Sequence, residues 1–195
     1  MAPPSNEPLS TSTPPSAADV ARRAARIRLL LFDVDGVLTD GRVLLHADGM
    51  ESKQFFIRDG TAIVLAREAG LLTGFLSARS SASTLVRAEQ LKVPIVRQGV
   101  HDKLSGYEEI LRDQSLQHAE VAFMGDDLLD LPVLGRVGLA CAPADAVDEV
   151  RARVHWTSRH AGGAGCVREL VEIVLRAQDR WQHAIDAYLA PEEAR

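Results

Sequence analysis

Between residues 28 and 157 the sequence alternates short apolar runs with stretches patterned as helices. The runs are Arg28–Val34, Leu71–Leu76, Val93–Arg97, Val121–Met124 and Gly138–Cys141, followed by an extended Val154–Thr157. Runs this short and this uniformly apolar read as strands buried on both faces. Between them, Asp59-Gly60-Thr61 can cap a helix that Gly70 ends, and Ser80–Leu91 places Leu85, Ala88 and Leu91 on one face. Asp102–Gln114 carries an apolar stripe of Leu104, Tyr107, Ile110 and Leu111. Short helices are predicted over Leu128–Leu134 and Ala144–Val150, and a long one from Gly165 to Tyr188. Strands alternating with helices predict βαβ units and an α/β, doubly wound parallel sheet. Arg42–Leu45 and Ser52–Ile57 flank His46-Ala47-Asp48-Gly49 and read as a projecting β-hairpin. The chain between Thr39 and Ser77 is too short for a large cap domain.

The 195 residues suit one domain. Five of the nine prolines fall in the first 15 residues, so residues 1–18 are expected to be a disordered tail and residues 19–190 the domain. A short helix over Val20–Ile27 leads into it. The net charge of −5 argues against a basic nucleic-acid-binding face. No apolar run approaches the length of a membrane span. Met1–Val20 carries no Lys or Arg and no apolar core, which does not fit a secretory signal. Two isolated cysteines, Cys141 and Cys166, suggest neither zinc nor a disulfide framework and fit a cytoplasmic protein.

In a sheet of this kind ligands bind beyond the carboxyl ends of the strands. The first run ends in Asp33-Val34-Asp35-Gly36, the second in Ser77-Ala78-Arg79, and the fourth in Gly125-Asp126-Asp127 with Asp130 one turn later. Lys103 follows the third. Carboxylates crowded at one edge repel unless a cation neutralises them, and hard oxygen ligands suit Mg²⁺. A carboxylate can attack phosphorus and form an acyl phosphate, while a second carboxyl protonates the leaving oxygen and later activates water. Hydroxyl and ammonium groups such as Ser77 and Lys103 suit the non-bridging oxygens.

Asp33-Val34-Asp35-Gly36-Val37-Leu38-Thr39 resembles the first motif of the haloacid dehalogenase superfamily, and Ser77, Lys103 and Gly125–Asp130 match its next three in order. FDVDGVLTDGR, KQFFIRDG (Lys53–Gly60), RAEQLKVPIVRQGVHDK (Arg87–Lys103), GDDLLDLPVLGRVGLACAPADA (Gly125–Ala146) and GGAGCVREL (Gly162–Leu170) are similar to the 3-deoxy-D-manno-octulosonate 8-phosphate (KDO 8-phosphate) phosphatases. That resemblance covers about residues 28–180. It implies a capless, Mg²⁺-dependent homotetramer that hydrolyses KDO 8-phosphate in lipopolysaccharide inner-core synthesis. A neighbouring subunit closes each active site and the hairpin packs between subunits.

Carried over, Asp33 is the nucleophile and Asp35 the general acid/base. Ser77 and Lys103 bind the phosphoryl group. Asp33, the Asp35 carbonyl and Asp126 hold the metal, with Asp127 and Asp130 supporting them. Arg58, Asp59 and Gly60 are expected at the substrate, and Arg79 and Arg87 at its carboxylate. Ser77-Ala78-Arg79 stands where the family usually has threonine-glycine-arginine, and Phe56 where asparagine is more frequent. Two other functions are compatible with these motifs: a phosphatase for a nine-carbon ulosonic acid 9-phosphate (KDN or sialic acid), and a non-catalytic assembly domain like those attached to acylneuraminate cytidylyltransferases. Gly162-Gly163-Ala164-Gly165 reads equally as an anion cradle or an ordinary loop-to-helix turn.

Overall fold

A computed structural model describes residues 16–190. Strand β1 (Leu29–Phe32) lies near the middle of a six-stranded parallel sheet, and all four of its side chains are buried. Leu30 and Phe32 face one helical layer, and Leu29 and Leu31 the other. That alternation explains why the run is uniformly apolar, since both faces of the strand are covered.

The first layer contains α1 (Ala17–Ala24), α2 (Ile57–Glu68), α7 (Cys166–Ala177) and α8 (Trp181–Leu189). The second contains α4 (Lys103–Gln114), α5 (Leu131–Leu134) and α6 (Asp148–Arg151). Helix α3 (Ala82–Gln90) connects β4 (Leu72–Leu76) to β5 (Ile95–Arg97). The remaining sheet strands are β6 (Val121–Met124), β7 (Leu139–Ala142) and β8 (Trp156–Thr157), giving the order β5-β4-β1-β6-β7-β8. From β1 the chain first builds outward through β4 and β5, then returns to the other side of β1 through β6. The carboxyl ends of β1, β4 and β6 therefore meet at the topological switch point, where a doubly wound sheet opens a crevice. Among the described residues, no helix is long and apolar enough to cross a membrane.

Several expected boundaries shift for identifiable reasons. Helix α1 begins at Ala17, where the Ser16 hydroxyl caps the Asp19 amide, so residues 17 and 18 belong to the helix and not to the tail. Residues 1–15 lie outside the described residues. The hairpin pairs only β2 (Leu44–Leu45) with β3 (Glu51–Ser52), and the predicted strand to Ile57 ends early because Ile57 already opens α2. On α3 the buried residues are Thr84 and Ala88, and Leu85 stands exposed. The predicted final helix is two helices. Asp179 adopts a left-handed φ of 55°, and the Gln178 amide donates to the Ala24 and Ile27 carbonyls. This break lets α8 fold back against α2.

Candidate active site

Asp33 follows β1 directly, and its amide donates to Met124 O of β6 at 3.0 Å. The chain then turns sharply. Gly36 takes φ 92°, and the Thr39 hydroxyl accepts from the amides of Gly36 and Gly41. A Cβ on Gly36 would lie 2.0 Å from Asp126 Oδ2, so glycine is what allows the β1 loop and the β6 loop to approach. The GGAG segment packs against the same loop. A Cβ on Gly162 would strike Gly36 O at 1.9 Å, and Gly163 N donates to Val37 O. Gly162 and Gly163 thus serve close backbone approach, and the Gly165 amide is taken by the Asp59 carboxylate of the chain itself.

Lys103 is the first residue of α4 and is buried. Its Nζ lies 2.8 Å from Asp33 Oδ1 and 2.6 Å from Asp130 Oδ1. Burial alone would lower the ammonium's pKa, but these two carboxylates outweigh it and raise it. Asp130 is fully committed: its other oxygen accepts the amides of Asp126 and Asp127 at 2.9 and 3.2 Å. Asp127 caps its own turn through the Leu128 amide. Ser77 is buried just after β4, and its hydroxyl accepts the Arg79 amide.

Asp33, Asp126 and Asp130 each place a carboxylate oxygen within 4.8 Å of the others. Burial, then the charge of Asp130, pushes Asp33 up to about 7. Burial, then the charges of Asp33 and Asp130, pushes Asp126 up to about 8. Asp126 Oδ1 is buried without a hydrogen-bond partner. Three hard-oxygen donors, one of them orphaned, and mutual repulsion that a cation would relieve make a cluster that fits Mg²⁺. Asp130 is closed to such an ion by its three hydrogen bonds, so Asp33 and Asp126 are the side chains available to it.

The expected substrate contacts fare differently. Asp59 is 1% exposed, and its two oxygens accept the amides of Gly165 and Arg168 at 3.2 and 2.8 Å. It caps α7 from another helix, which corrects its expected role as cap of its own helix, since α2 already begins at Ile57. A Cβ on Gly60 would lie 2.1 Å from Arg87 Nη2, so the Arg87 guanidinium rests against the glycine. Arg87 is half-buried, 5.9 Å from the Phe55 ring and 3.3 Å from the Gln90 side-chain oxygen. Arg58 lines a cavity of about 400 Å³ with Phe56, His160, Arg168 and Arg176, and none of the strand-end acids borders it. Arg79 does reach the site: it lies 3.5 Å from Asp35 and 2.8 Å from Glu51.

Sequence reasoning missed Lys53. It leaves the hairpin and ion-pairs with Asp35 at 2.7 and 2.9 Å to the two oxygens. No local pattern marks it as a site residue, because the pairing depends on how the hairpin folds back over the β1 loop.

A family model described as haloacid dehalogenase-like hydrolase matches residues 71–170. The chain is 39% identical over 176 residues to the KDO 8-phosphate phosphatase of Yersinia pestis, covering 90% of this chain and 94% of the relative. The crystal structure of that enzyme from Yersinia pestis superposes with a TM-score of 0.83 at 40% identity, covering 84% of this chain and 89% of that one. The Moraxella catarrhalis KDO 8-phosphate phosphatase, solved with magnesium, phosphate and KDO, superposes with a TM-score of 0.84 at 29% identity, covering 87% and 98%.

Proposed function

Because the chain belongs to the KDO 8-phosphate phosphatase family of haloacid dehalogenase-like hydrolases, we propose that it is an Mg²⁺-dependent phosphoric monoester hydrolase acting on KDO 8-phosphate. The observation that carries this reading is the meeting of Asp33, Asp35, Ser77, Lys103 and Asp126 at the switch point of the sheet.

Asp33 attacks phosphorus, forming an acyl phosphate while the bond from phosphorus to the sugar oxygen breaks. Asp35 gives its proton to that departing oxygen. Water then attacks the acyl phosphate, Asp35 takes its proton, and phosphate leaves as the Asp33 carboxylate is restored. Lys103 orients Asp33 through Oδ1 and, with the Ser77 hydroxyl, offers donors to the non-bridging oxygens. Asp130 holds Lys103 in place. Asp33, Asp126 and the Asp35 carbonyl would hold Mg²⁺, which would supply positive charge against the repulsion between the attacking carboxylate and the phosphoryl oxygens.

The assembly is a homotetramer in which a neighbouring subunit covers the open site. Leu44, Leu45 and Met50, exposed on the hairpin, support this reading as an apolar contact surface. Arg58, on the face beside the hairpin's end, is then free to reach a neighbour's substrate.

Phosphate release from KDO 8-phosphate, KDN 9-phosphate and hexose phosphates tests the substrate. A strong preference for KDO 8-phosphate, abolished by EDTA and restored by Mg²⁺, is expected. Equal or greater turnover of KDN 9-phosphate would reassign the substrate, and no turnover of any would leave an assembly domain. Light scattering during size-exclusion chromatography gives the subunit number.

A further inference from the structure

The hairpin does more than offer an apolar surface. Lys53 extends from the segment just after β3 and is buried to 1% side-chain exposure. Its ammonium bridges both oxygens of Asp35 at 2.7 and 2.9 Å. Glu51, two residues earlier, lies 3.8 Å from the same ammonium and 2.8 Å from Arg79. Arg79 closes the ring at 3.5 Å from Asp35. The Ser83 hydroxyl of α3 also donates to the Glu51 carbonyl at 3.5 Å. Two cations and two carboxylates thus join the β1 loop, the hairpin and the loop after β4 in one closed circuit.

The hydrogen bond to Oδ2 and the cation beside Oδ1 restrain the orientation of the carboxylate and so of its plane, Oδ1 having no hydrogen-bond partner of its own. Proton transfer to a leaving oxygen is sensitive to that plane and to displacements of about 1 Å. Asp33 and Lys103 do not share this circuit; their partners are Asp130 and each other. The carboxylate that moves protons is therefore held by the hairpin, and the one that attacks phosphorus is held by the sheet edge.

The geometry points to Lys53 as a positioning residue that aims Asp35 at the leaving oxygen, so that the hairpin governs the protonation of the leaving group and leaves attack by Asp33 to the sheet. This rests on the proposed phosphatase chemistry. It specifies a dependence on the leaving group that the chemistry alone does not require. A sugar alkoxide needs a proton to depart, whereas p-nitrophenolate is stable as an anion and does not.

The test compares kcat/KM, which reports steps up to leaving-group departure, for KDO 8-phosphate and p-nitrophenyl phosphate with the full chain and Mg²⁺. Lys53→Met is expected to lower kcat/KM about 100-fold for the sugar phosphate and less than about threefold for the aryl phosphate. In an Asp35→Asn background the same substitution is expected to have no further effect on the sugar phosphate, since the group it positions is already disabled. Lys53→Gln, which keeps a donor, is expected to fall between wild type and Lys53→Met, and it serves if the methionine variant does not fold. An equal loss on both substrates, or a further loss in the Asp35→Asn background, overturns the inference and makes Lys53 a structural residue. A wild-type enzyme inactive on the sugar phosphate, or an Asp33→Asn enzyme still active on it, overturns the phosphatase reading itself.

Discussion

At the sheet edge, Lys103 and Asp130 are buried, and Lys103 lies 2.6 Å from Asp130 and 2.8 Å from Asp33. On the hairpin, Leu44, Leu45 and Met50 stand 62, 73 and 64% exposed, while Lys53 of the same segment is buried on Asp35. The edge is assembled from strands that the subunit's own core holds, with β1, β4 and β6 in parallel register. The hairpin has two residue pairs and little core beneath it. A two-stranded ribbon is marginal by itself. The proposed nucleophile, Asp33, is therefore preorganised within one chain, while Asp35 depends on an element whose apolar side lacks a partner within the described subunit.

The largest expected effect lies at the edge. Asp33→Asn removes the proposed nucleophile and should lower kcat on the order of 10⁴-fold or more without altering the circular dichroism spectrum. Retained turnover would remove the reason for setting the edge apart from the hairpin.

Lys103→Met leaves Asp33 and Asp130 buried without their cation and should cost about 3–5 kcal/mol in urea unfolding. A loss under about 1 kcal/mol would mean that the edge is not the rigid half of the site.

Metal and pH probe the same edge. Asp33 and Asp126 have folded-state pKa values near 7 and 8, above the usual carboxylate value, so between about pH 4 and pH 8 the folded form holds more protons than the unfolded one. Stability then falls as pH rises. Metal-free protein should melt at a lower temperature at pH 8 than at pH 6, and saturating Mg²⁺ should raise Tm more at pH 8. At about 100 times its Kd a ligand contributes about 2.7 kcal/mol, enough for a scanning-calorimetry shift. A Tm unchanged by Mg²⁺ at both pH values would remove the metal from the edge.

Asp59→Ala separates the α7 cap from a contact to substrate. Loss of the α7 cap should cost about 1–2 kcal/mol and leave KM for the sugar phosphate unchanged. A raised KM with unaltered stability would return Asp59 to the substrate.

The smallest effect on the fold belongs to the hairpin surface. Leu45→Ser should change unfolding by less than about 0.5 kcal/mol per subunit, as surface substitutions do. It should nevertheless lower the molar mass in light scattering. An unchanged mass would mean that the exposed leucines are not an assembly contact.

Much of the architecture was legible because strand and helix periods differ and because ligand chemistry collects at strand ends. The run Leu29–Phe32 and the stripe of Tyr107, Ile110 and Leu111 followed from pattern alone. Leu85 was misplaced because α3 covers little of the sheet, and small Thr84 and Ala88 make its contacts. Arg87 was expected at the sugar carboxylate from the family resemblance, and its packing could not be read from the sequence. Partial burial over Phe55 and against Gly60 lowers its pKa by desolvation.

By itself, the sequence determined the alternating plan, the order of the four motifs, and therefore which acids stand at the switch point. Local composition is enough for this, since a strand's end carries its next residue to the same edge whatever the distant chain does. Tertiary structure alone decided which charges pair. Asp59 meets Gly165 and Arg168 across 106 and 109 residues, Lys103 meets Asp130 across 27, and Lys53 meets Asp35 across 18. A side chain's type says that it can form such a contact, but only the packed chain brings one partner within 3 Å and turns the others away, because hydrogen bonds and ion pairs weaken steeply with distance and angle.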